Sequence, residues 1–161
     1  ELPVEDVMGL KAVEATRRDA LALTGLAGLV AILAPRMALA DEQAVAAEIK
    51  KLYGDKTIGS GKIKLDVPEI AENGLVVPIN VEVESPMTDA DYVKAVHVYA
   101  DGNPLPGVVT YKFTPACGKA SASTRMRLAQ TQNIVCIAEM SNGSLHMAKA
   151  NVKVTIGGCG G

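Results

Sequence analysis

The sequence after Gly61 alternates short runs rich in β-branched residues with short stretches of turn residues. In the run at 75–84, Ile79, Val81 and Val83 alternate with polar residues, which is the period of a strand with one buried face. The other runs recur at intervals of roughly 8–12 residues, a spacing typical of an antiparallel sandwich. The pattern therefore predicts an all-β domain with strands at 62–67, 75–84, 93–100, 108–114, 120–129, 133–140 and 145–156.

Two of the gaps between these runs carry strong turn sequences, and one run contains a proline. Residues 101–104 read Asp-Gly-Asn-Pro, and residues 141–143 read Ser-Asn-Gly, which predicts a tight hairpin turn. Pro78 has no backbone N–H to donate to a neighbouring strand, so it predicts an edge position or a bulge. The turns indicate where the chain reverses, but they do not indicate which strands pair.

The composition limits which residues can form the core and which classes of molecule the chain can bind. Aromatic residues make up 3% of the chain, with no Trp and one Phe, so the core must consist of Val, Ile, Leu and Ala. The formal net charge of the 161 residues is −2, which produces no strong field toward nucleic acid or an anionic membrane. We predict one aliphatic domain over residues 41–156 that binds no nucleic acid.

Residues 1–40 have the pattern of an export signal. Arg17-Arg18 precede an apolar run of about 15 residues at 20–34, and Ala38-Leu39-Ala40 has the small-x-small form of a cleavage site. The paired arginines resemble a twin-arginine signal. The alternative is a membrane-anchoring helix, but the run is shorter than the roughly 20 residues that span a bilayer. We predict a cleaved leader and a periplasmic domain with no membrane segment after cleavage.

An amphipathic helix is expected between the leader and the strands. Residues 41–53 place Val45, Ile49 and Leu52 on one face at helical spacing. Acidic residues stand at the start and lysines at the end, as the helix dipole favours. Gly54 predicts the end of the helix. We expect this helix to pack against the sheets.

The last residues of the sequence, Gly157-Gly158-Cys159-Gly160-Gly161, place one cysteine between two pairs of glycines. Glycine adopts positive and negative φ with similar ease, so the segment has no preferred conformation of its own. We expect Val152, Val154 and Ile156 to hold the preceding strand on one face. We therefore predict a flexible arm over residues 157–161 that presents the Cys159 thiol to other proteins.

The C-terminal residues resemble the SoxY family, the sulfur-compound carrier subunits of the bacterial sulfur-oxidising (Sox) system. The main resemblance is an alternating strand at 152–156 followed by the terminal Gly-Gly-Cys-Gly-Gly. It is supported by the twin-arginine-like leader, the helix before the strands, and the segments 124–129, 133–135 and 138–140. The resemblance implies an immunoglobulin-like antiparallel β-sandwich and a heterodimer with the small β-sandwich partner SoxZ.

For function, the resemblance implies covalent carriage. Cys159 would be joined oxidatively to thiosulfate by the c-type cytochrome SoxAX, which gives a cysteine S-thiosulfonate. A sulfonate hydrolase then removes the terminal sulfonate, and a sulfane dehydrogenase oxidises the remaining sulfur. The chain itself would be a carrier and not an enzyme, with no cofactor or metal other than the sulfur on Cys159. The resemblance does not indicate which sulfur compound is the preferred cargo.

Two further cysteines, Cys117 and Cys136, are not needed by the carrier motif. Cys136 stands in an apolar run, where a small buried side chain is expected, and Cys117 follows Pro115-Ala116 in a turn. In an oxidising compartment the two could form a disulfide that closes a loop of about 20 residues. A disulfide and two free thiols are both compatible with the sequence, and either role is structural.

Three other interpretations remain open from the sequence. His146, Met147 and Met140 could form a soft-metal site with Cys159, although nothing fixes the cysteine there. Ubiquitin-like sulfur carriers end in Gly-Gly and carry sulfur as a terminal thiocarboxylate, but they are cytosolic, and the leader argues against this class. The third interpretation is an exported assembly module whose tail cysteine forms an intermolecular disulfide. His97, between two valines, is expected to be an exposed or half-exposed strand residue.

Overall fold

The computed structural model describes residues 40–158. Residues 1–39 and 159–161 lie outside the described part, and with them nearly all of the predicted export signal and the predicted sulfur-attachment residue Cys159 with Gly160 and Gly161. Within the described part, no helix combines the length and the apolar character needed to cross a bilayer.

The helix predicted before the strands is present as α1, Glu42–Tyr53. Asp41 caps its first turn, because the Asp41 carboxylate accepts a hydrogen bond from the backbone N–H of Ala44 at 2.8 Å. Gly54 ends it with a positive φ of 66°, and the Gly54 N–H donates to the carbonyl of Lys50. The capping residues of the sequence therefore set both ends of the helix.

Each of the seven predicted strands is present, although most are a few residues shorter. The structure has β1 Ile58–Ser60, β2 Ile63–Asp66, β3 Ile70–Ala71, β4 Val77–Val83, β5 Val93–Ala100, β6 Gly107–Lys112, β7 Ala120–Met126, β8 Gln132–Met140 and β9 Leu145–Val154, with a short 3-10 turn at Pro115–Cys117. The strands β1 and β3 were not predicted. They contain three and two residues, which is too few to show an alternation.

The strands form two sheets, which confirms the predicted all-β fold. The larger sheet has the order β1-β9-β8-β5-β6, and β3 also pairs with β9; the smaller sheet has the order β2-β4-β7. All pairs are antiparallel except those of β1 and β3, which run parallel to β9. Because β8 occupies one side of β9, β1 and β3 share its other side, β1 near the start and β3 at the end.

Pro78 occupies a local edge of the smaller sheet, as predicted. It pairs with Arg125 of β7, but the pairing of β4 with β2 stops at Asn80. At Pro78, β4 therefore has a neighbouring strand on one side only. Because β2 does not reach this position, no carbonyl of β2 depends on the N–H that proline lacks.

The core lies between the two sheets and is aliphatic, as the composition requires. Its largest fully buried side chains include Val77, Ile79, Val96, Val98, Ile134, Met140 and Val152. A second cluster lies on the other face of the larger sheet, where Val45 and Ile49 of α1 pack with Val135 and Ile137 of β8. The strand β8 is therefore buried on both faces, which explains its continuous apolar sequence.

The strand β9 ends at Val154, two residues before the predicted end. Val152 is fully buried and Val154 is half-buried, but the side chain of Ile156 is 69% exposed. The prediction that Ile156 holds the strand by its side chain is therefore wrong. Only its backbone is held, because its carbonyl accepts a hydrogen bond from the Gly74 N–H.

Candidate functional site

The backbone after β9 runs between the loop that joins β3 to β4 and the segment that follows β7. The Gly74 N–H donates to the carbonyl of Ile156 at 2.7 Å, and the Gly158 N–H donates to the carbonyl of Leu128 at 2.8 Å. The Leu128 N–H in turn donates to the carbonyl of Gly74 at 2.8 Å. These bonds join three segments, residues 74, 128–129 and 156–158, which we call the clasp.

The glycines of the clasp allow its three backbones to approach closely. A Cβ atom on Gly157 would overlap the carbonyl oxygen of Ala129, and one on Gly158 would overlap the carbonyl of Gly74. A Cβ atom on Gly74 would overlap the carbonyl oxygen of Leu128 and lie 2.8 Å from the Gly158 nitrogen. Any larger residue at these positions would displace backbone atoms, so the absence of a side chain is a packing requirement here.

This finding corrects the predicted extent of the flexible arm. The sequence predicted one flexible segment over residues 157–161, beginning at Gly157. In the structure Gly157 and Gly158 are instead held by the clasp, and the last described residue, Gly158, is bonded to Leu128. The glycines before the cysteine are therefore held in place, and residues 159–161 of the predicted arm lie outside the described residues.

A network of side-chain amides holds the segment after β7 in place. Asn103 donates to the carbonyl of Arg127 at 2.9 Å and accepts from the Ala129 N–H at 3.0 Å. Gln132, which is buried, donates to the same Asn103 oxygen at 2.9 Å. Leu128 itself is fully buried. From the sequence Asn103 is only a turn residue, because no local pattern marks its contact with a segment so distant in the sequence.

The two additional cysteines have different surroundings and are not bonded to each other. Within the described part of the chain, Cys136 and Cys117 are free thiols, the first buried and the second exposed. The structure therefore does not contain a disulfide between Cys117 and Cys136. Cys136 faces the core between the sheets, and Cys117 lies in the turn after β6. Burial raises the pKa of the Cys136 thiol to about 12.

The Cys117 thiol differs because it is close to hydrogen-bond donors. Its sulfur lies 3.8 Å from the hydroxyl oxygen of Thr114. A backbone hydrogen bond and the hydroxyl of Thr114 lower the pKa of the Cys117 thiol from its usual value. An exposed thiol of this kind reacts with small reagents more readily than the buried Cys136.

His97 is half-buried on β5, as expected. Its Nδ1 lies 3.0 Å from the Thr110 hydroxyl oxygen, and its ring packs edge-on against Tyr53 and stacks near Tyr99. Burial lowers the pKa of His97. The phenol of Tyr53 also donates to Glu139 at 3.3 Å. These contacts join the end of α1 to the larger sheet, which is a structural role.

The structure separates the members of the soft-metal alternative. Met140 belongs to the core between the sheets, whereas Met147 packs against the cluster under α1 on the opposite face. His146 is half-buried beside Gly59, and a Cβ atom placed on Gly59 would lie 3.2 Å from the His146 Nδ1. Across residues 40–158, no three His, Cys, Asp or Glu side chains are grouped so that they could hold a metal ion.

Comparison with protein families decides what kind of chain this is. A sequence model of the family described as sulfur oxidation protein SoxY matches residues 49–159. The chain belongs to the SoxY family. The match begins within α1, contains all nine strands and the clasp, and ends on Cys159.

A solved structure of the SoxY family is similar over most of the described domain. It is the structure of the sulfur carrier protein SoxY from Chlorobium limicola f thiosulfatophilum, with 31% sequence identity and a TM-score of 0.60. The similarity covers 71% of this chain and 98% of the Chlorobium chain. The two-sheet fold of this SoxY-family chain is therefore shared with a solved family member.

Two superoxide reductases share the fold at lower sequence identity. The enzyme (neelaredoxin) from Ignicoccus hospitalis has 16% identity and a TM-score of 0.54, covering 60% of this chain and 94% of its own. A putative superoxide reductase from Thermotoga maritima has 20% identity and a TM-score of 0.52, covering 60% and 93%. At these identities the likeness concerns the fold alone. No curated protein matches the sequence.

Proposed function

We propose that this SoxY-family chain carries sulfur intermediates bound covalently to Cys159 during the periplasmic oxidation of thiosulfate and related sulfur compounds. The family match carries the proposal, because it extends through residue 159 and so includes this cysteine. The Chlorobium protein, which covers the same domain, is described as a sulfur carrier. The clasp gives physical support, since it holds the chain up to the residue before Cys159.

In the first step, the sulfur of Cys159 forms a bond with the outer sulfur of thiosulfate. The cysteine loses its thiol proton, and the two reactants together give up two electrons. The product is a cysteine S-thiosulfonate, and one proton is released. We assign the electrons to the c-type cytochrome SoxAX, whose haem iron accepts them one at a time.

In the second step, water attacks the terminal sulfonate sulfur. The bond between that sulfur and the sulfane sulfur breaks, sulfate and a proton leave, and a persulfide stays on Cys159. No electrons are exchanged, so this step belongs to a sulfonate hydrolase. A sulfane dehydrogenase would then take the remaining sulfane sulfur to the sulfonate level, with water supplying the oxygen atoms and an electron acceptor of that enzyme receiving the electrons. The chain is the bound substrate in each step, and the partner enzymes supply the catalytic groups.

The partners and the compartment belong to the same proposal. A heterodimer with SoxZ would form the carrier unit, and the leader over residues 1–40 would bring the chain to the periplasm. The glycines on both sides of Cys159 put no side chain directly beside it, and those before it are held by the clasp. Several differently shaped clefts could therefore admit the same cysteine.

Mass analysis tests the proposal on protein isolated from its own periplasm. We expect additions of sulfur or thiosulfonate on the peptide that contains Cys159, removed by reductant and lost in Cys159→Ala. The matched control is Cys117→Ala, which deletes an exposed thiol outside the arm and should leave the additions unchanged.

Three outcomes would contradict the carrier proposal. The first is an unmodified Cys159 in protein isolated during growth on thiosulfate. The second is sulfur bound at the terminal carboxyl, which would indicate thiocarboxylate chemistry. The third is a permanent dimer joined through Cys159, which would indicate an assembly module.

A further inference from the structure

Three exposed aliphatic side chains surround the base of the arm. Across residues 40–158, six large apolar side chains are exposed: Leu52, Ile70, Leu75, Val76, Leu105 and Ile156. Leu75 and Val76 directly follow Gly74, whose N–H donates to the carbonyl of Ile156. We call Leu75, Val76 and Ile156 the arm-root patch; their exposures are 48%, 57% and 69%.

The patch is held outward by its own backbone. The side-chain oxygen of Asn73 accepts a hydrogen bond from the Leu75 N–H at 2.9 Å, which fixes the turn before β4. Val77, the next residue after Val76, is fully buried and anchors the start of β4. The clasp holds Ile156 from the other side. Such a surface is available for contact without an ordering step.

The covalent geometry of the chain limits how far Cys159 lies from this patch. Consecutive Cα atoms are about 3.8 Å apart, so the Cα of a residue bonded to Gly158 lies within that distance of the clasp. A Cβ atom on Gly158 would lie 2.5 Å from the backbone nitrogen of Leu75, which places the patch directly beside this point. A protein that encloses the Cys159 thiol in a cleft therefore brings the rim of that cleft close to the backbone that carries Leu75 and Val76.

We propose that the arm-root patch is the docking surface for the enzymes that react with Cys159, and that it contacts apolar side chains at the rims of their active-site clefts. The inference rests on the proposed function, since it requires that other proteins act on Cys159. Three side chains form a small contact, which suits partners that must bind in turn and release again. The shared surface would let different enzymes use one mode of approach.

Leu75→Ser tests the proposal, and Leu52→Ser is its matched control. Both leucines are about half exposed, at 48% and 52%. Leu52 is next to Tyr53, whose hydroxyl bonds to Glu139, and Glu139 pairs with the first residue of β9. The clasp lies beyond the opposite end of this ten-residue strand. The control therefore removes the same side chain far from the arm. Both variants are made in a Cys117→Ser background so that one exposed thiol outside the arm is removed.

The assay uses the full chain with its heterodimer partner, the SoxAX cytochrome, thiosulfate and an excess of ferric cytochrome c as the terminal electron acceptor. The initial rate at which Cys159 gains thiosulfonate is followed by mass as the carrier concentration is varied. We expect Leu75→Ser to raise the KM for the carrier about tenfold with little change in kcat, which corresponds to one lost contact of interface strength. Leu52→Ser should behave as the parent chain. Ile156→Ser is a second test and should act in the same direction.

The reaction of Cys159 with iodoacetamide distinguishes docking from a change in the arm itself. The rate of alkylation should be equal in the parent chain, in Leu75→Ser and in Ile156→Ser, because a small reagent needs no docking surface. A normal KM in Leu75→Ser and Ile156→Ser would overturn the proposal. Dissociation of the heterodimer in these variants would also overturn it, because the patch would then belong to the subunit interface.

The two proposals fail in different ways. If the parent chain gains no thiosulfonate, the carrier function fails, and the docking inference fails with it. If the parent chain, Leu52→Ser and Leu75→Ser all gain thiosulfonate with the same kinetics, the carrier function stands and only the docking inference fails.

Discussion

At the scale of single residues, the environment of Cys136 determines its chemistry. The thiol is fully buried among aliphatic side chains of β8 and its neighbours. Burial disfavours the charged thiolate and raises the pKa to about 12. The side chain therefore acts as a small apolar group at neutral pH, and its reactivity is suppressed relative to the exposed Cys117.

The raised pKa of Cys136 predicts a loss of stability in alkaline solution. In the unfolded chain the thiol ionises near pH 8.5, whereas in the folded chain it keeps its proton to about pH 12. Above about pH 8.5 the unfolded state binds fewer protons, so the free energy of unfolding falls as pH rises, by at most about 1.4 kcal/mol per pH unit. Urea unfolding between pH 7 and pH 10 measures this slope.

Cys136→Ala isolates the contribution of this thiol. The variant should be less stable than the parent chain at pH 7, because a buried group is lost, but its stability should fall less steeply between pH 8.5 and pH 10. Burial also raises the pKa of Tyr99 and Tyr111, but phenols ionise near pH 10 and act mainly above this range. Equal slopes in the two chains would show that Cys136 is not protected from ionisation.

At the scale of elements, the clasp holds the backbone after β9 as far as Gly158. Its backbone bonds join the end of β9 to the loop before β4 and to the segment after β7. Each such bond contributes about 0.5–1.5 kcal/mol net. The glycines make the bonds possible by removing the Cβ atoms that would separate the three backbones.

Gly158→Ala should open the clasp. The added Cβ atom would overlap the carbonyl of Gly74 and displace that residue. The Gly74 N–H then loses its bond to Ile156, and the Leu128 N–H loses its bond to Gly74. Loss of two bonds, at about 1–3 kcal/mol in total, predicts amide hydrogen exchange roughly 10- to 100-fold faster at Gly74 and Leu128. Exchange measured by NMR on the full chain would show this.

Gly107→Ala is the matched control for this experiment. Gly107 is the first residue of β6, and a Cβ atom there would meet nothing within 4 Å. This variant should leave exchange at Gly74 and Leu128 unchanged. If Gly158→Ala behaves in the same way, the clasp is not closed in solution.

At the scale of the whole molecule, β8 joins two hydrophobic clusters. Its even-numbered residues from Ile134 to Met140 face the core between the sheets, and Val135 and Ile137 face α1. Because both clusters share this strand, we expect the helix and the two sheets to unfold as one cooperative unit.

Ile137→Ala tests this cooperativity. Ile137 is fully buried under α1, so its truncation should lower the free energy of unfolding by about 2–5 kcal/mol. Far-ultraviolet circular dichroism and alkylation of Cys136 should report the same urea transition, although Cys136 lies on the other face of the sheet. The control Leu52→Ala, at a half-exposed position of α1, should change stability by less than about 0.5 kcal/mol. Alkylation that lags behind the loss of circular dichroism would show that the helix side unfolds separately.

Local periodicity in the sequence was sufficient for most elements of the fold. The alternation of Ile79, Val81 and Val83 with polar residues predicted β4, and apolar residues at helical spacing followed by Gly54 predicted α1. These signals are readable because a side chain's burial follows directly from its position along one strand or helix. The motif at the end of the chain was equally local, and the family match extends through its cysteine.

The tertiary structure alone decided the pairing of β3 with the end of β9, the exposure of Ile156, and the position of Gly157 and Gly158. From the sequence, glycines beside a cysteine indicate freedom of the backbone. In the structure the same glycines contact Gly74 and the segment after β7, which are distant in sequence. Contacts between backbones leave no pattern in side-chain chemistry beyond the glycine itself. The sequence therefore determined that the chain carries a cysteine between two pairs of glycines. Only the packing of three distant segments determined that the two glycines before it are held against the domain.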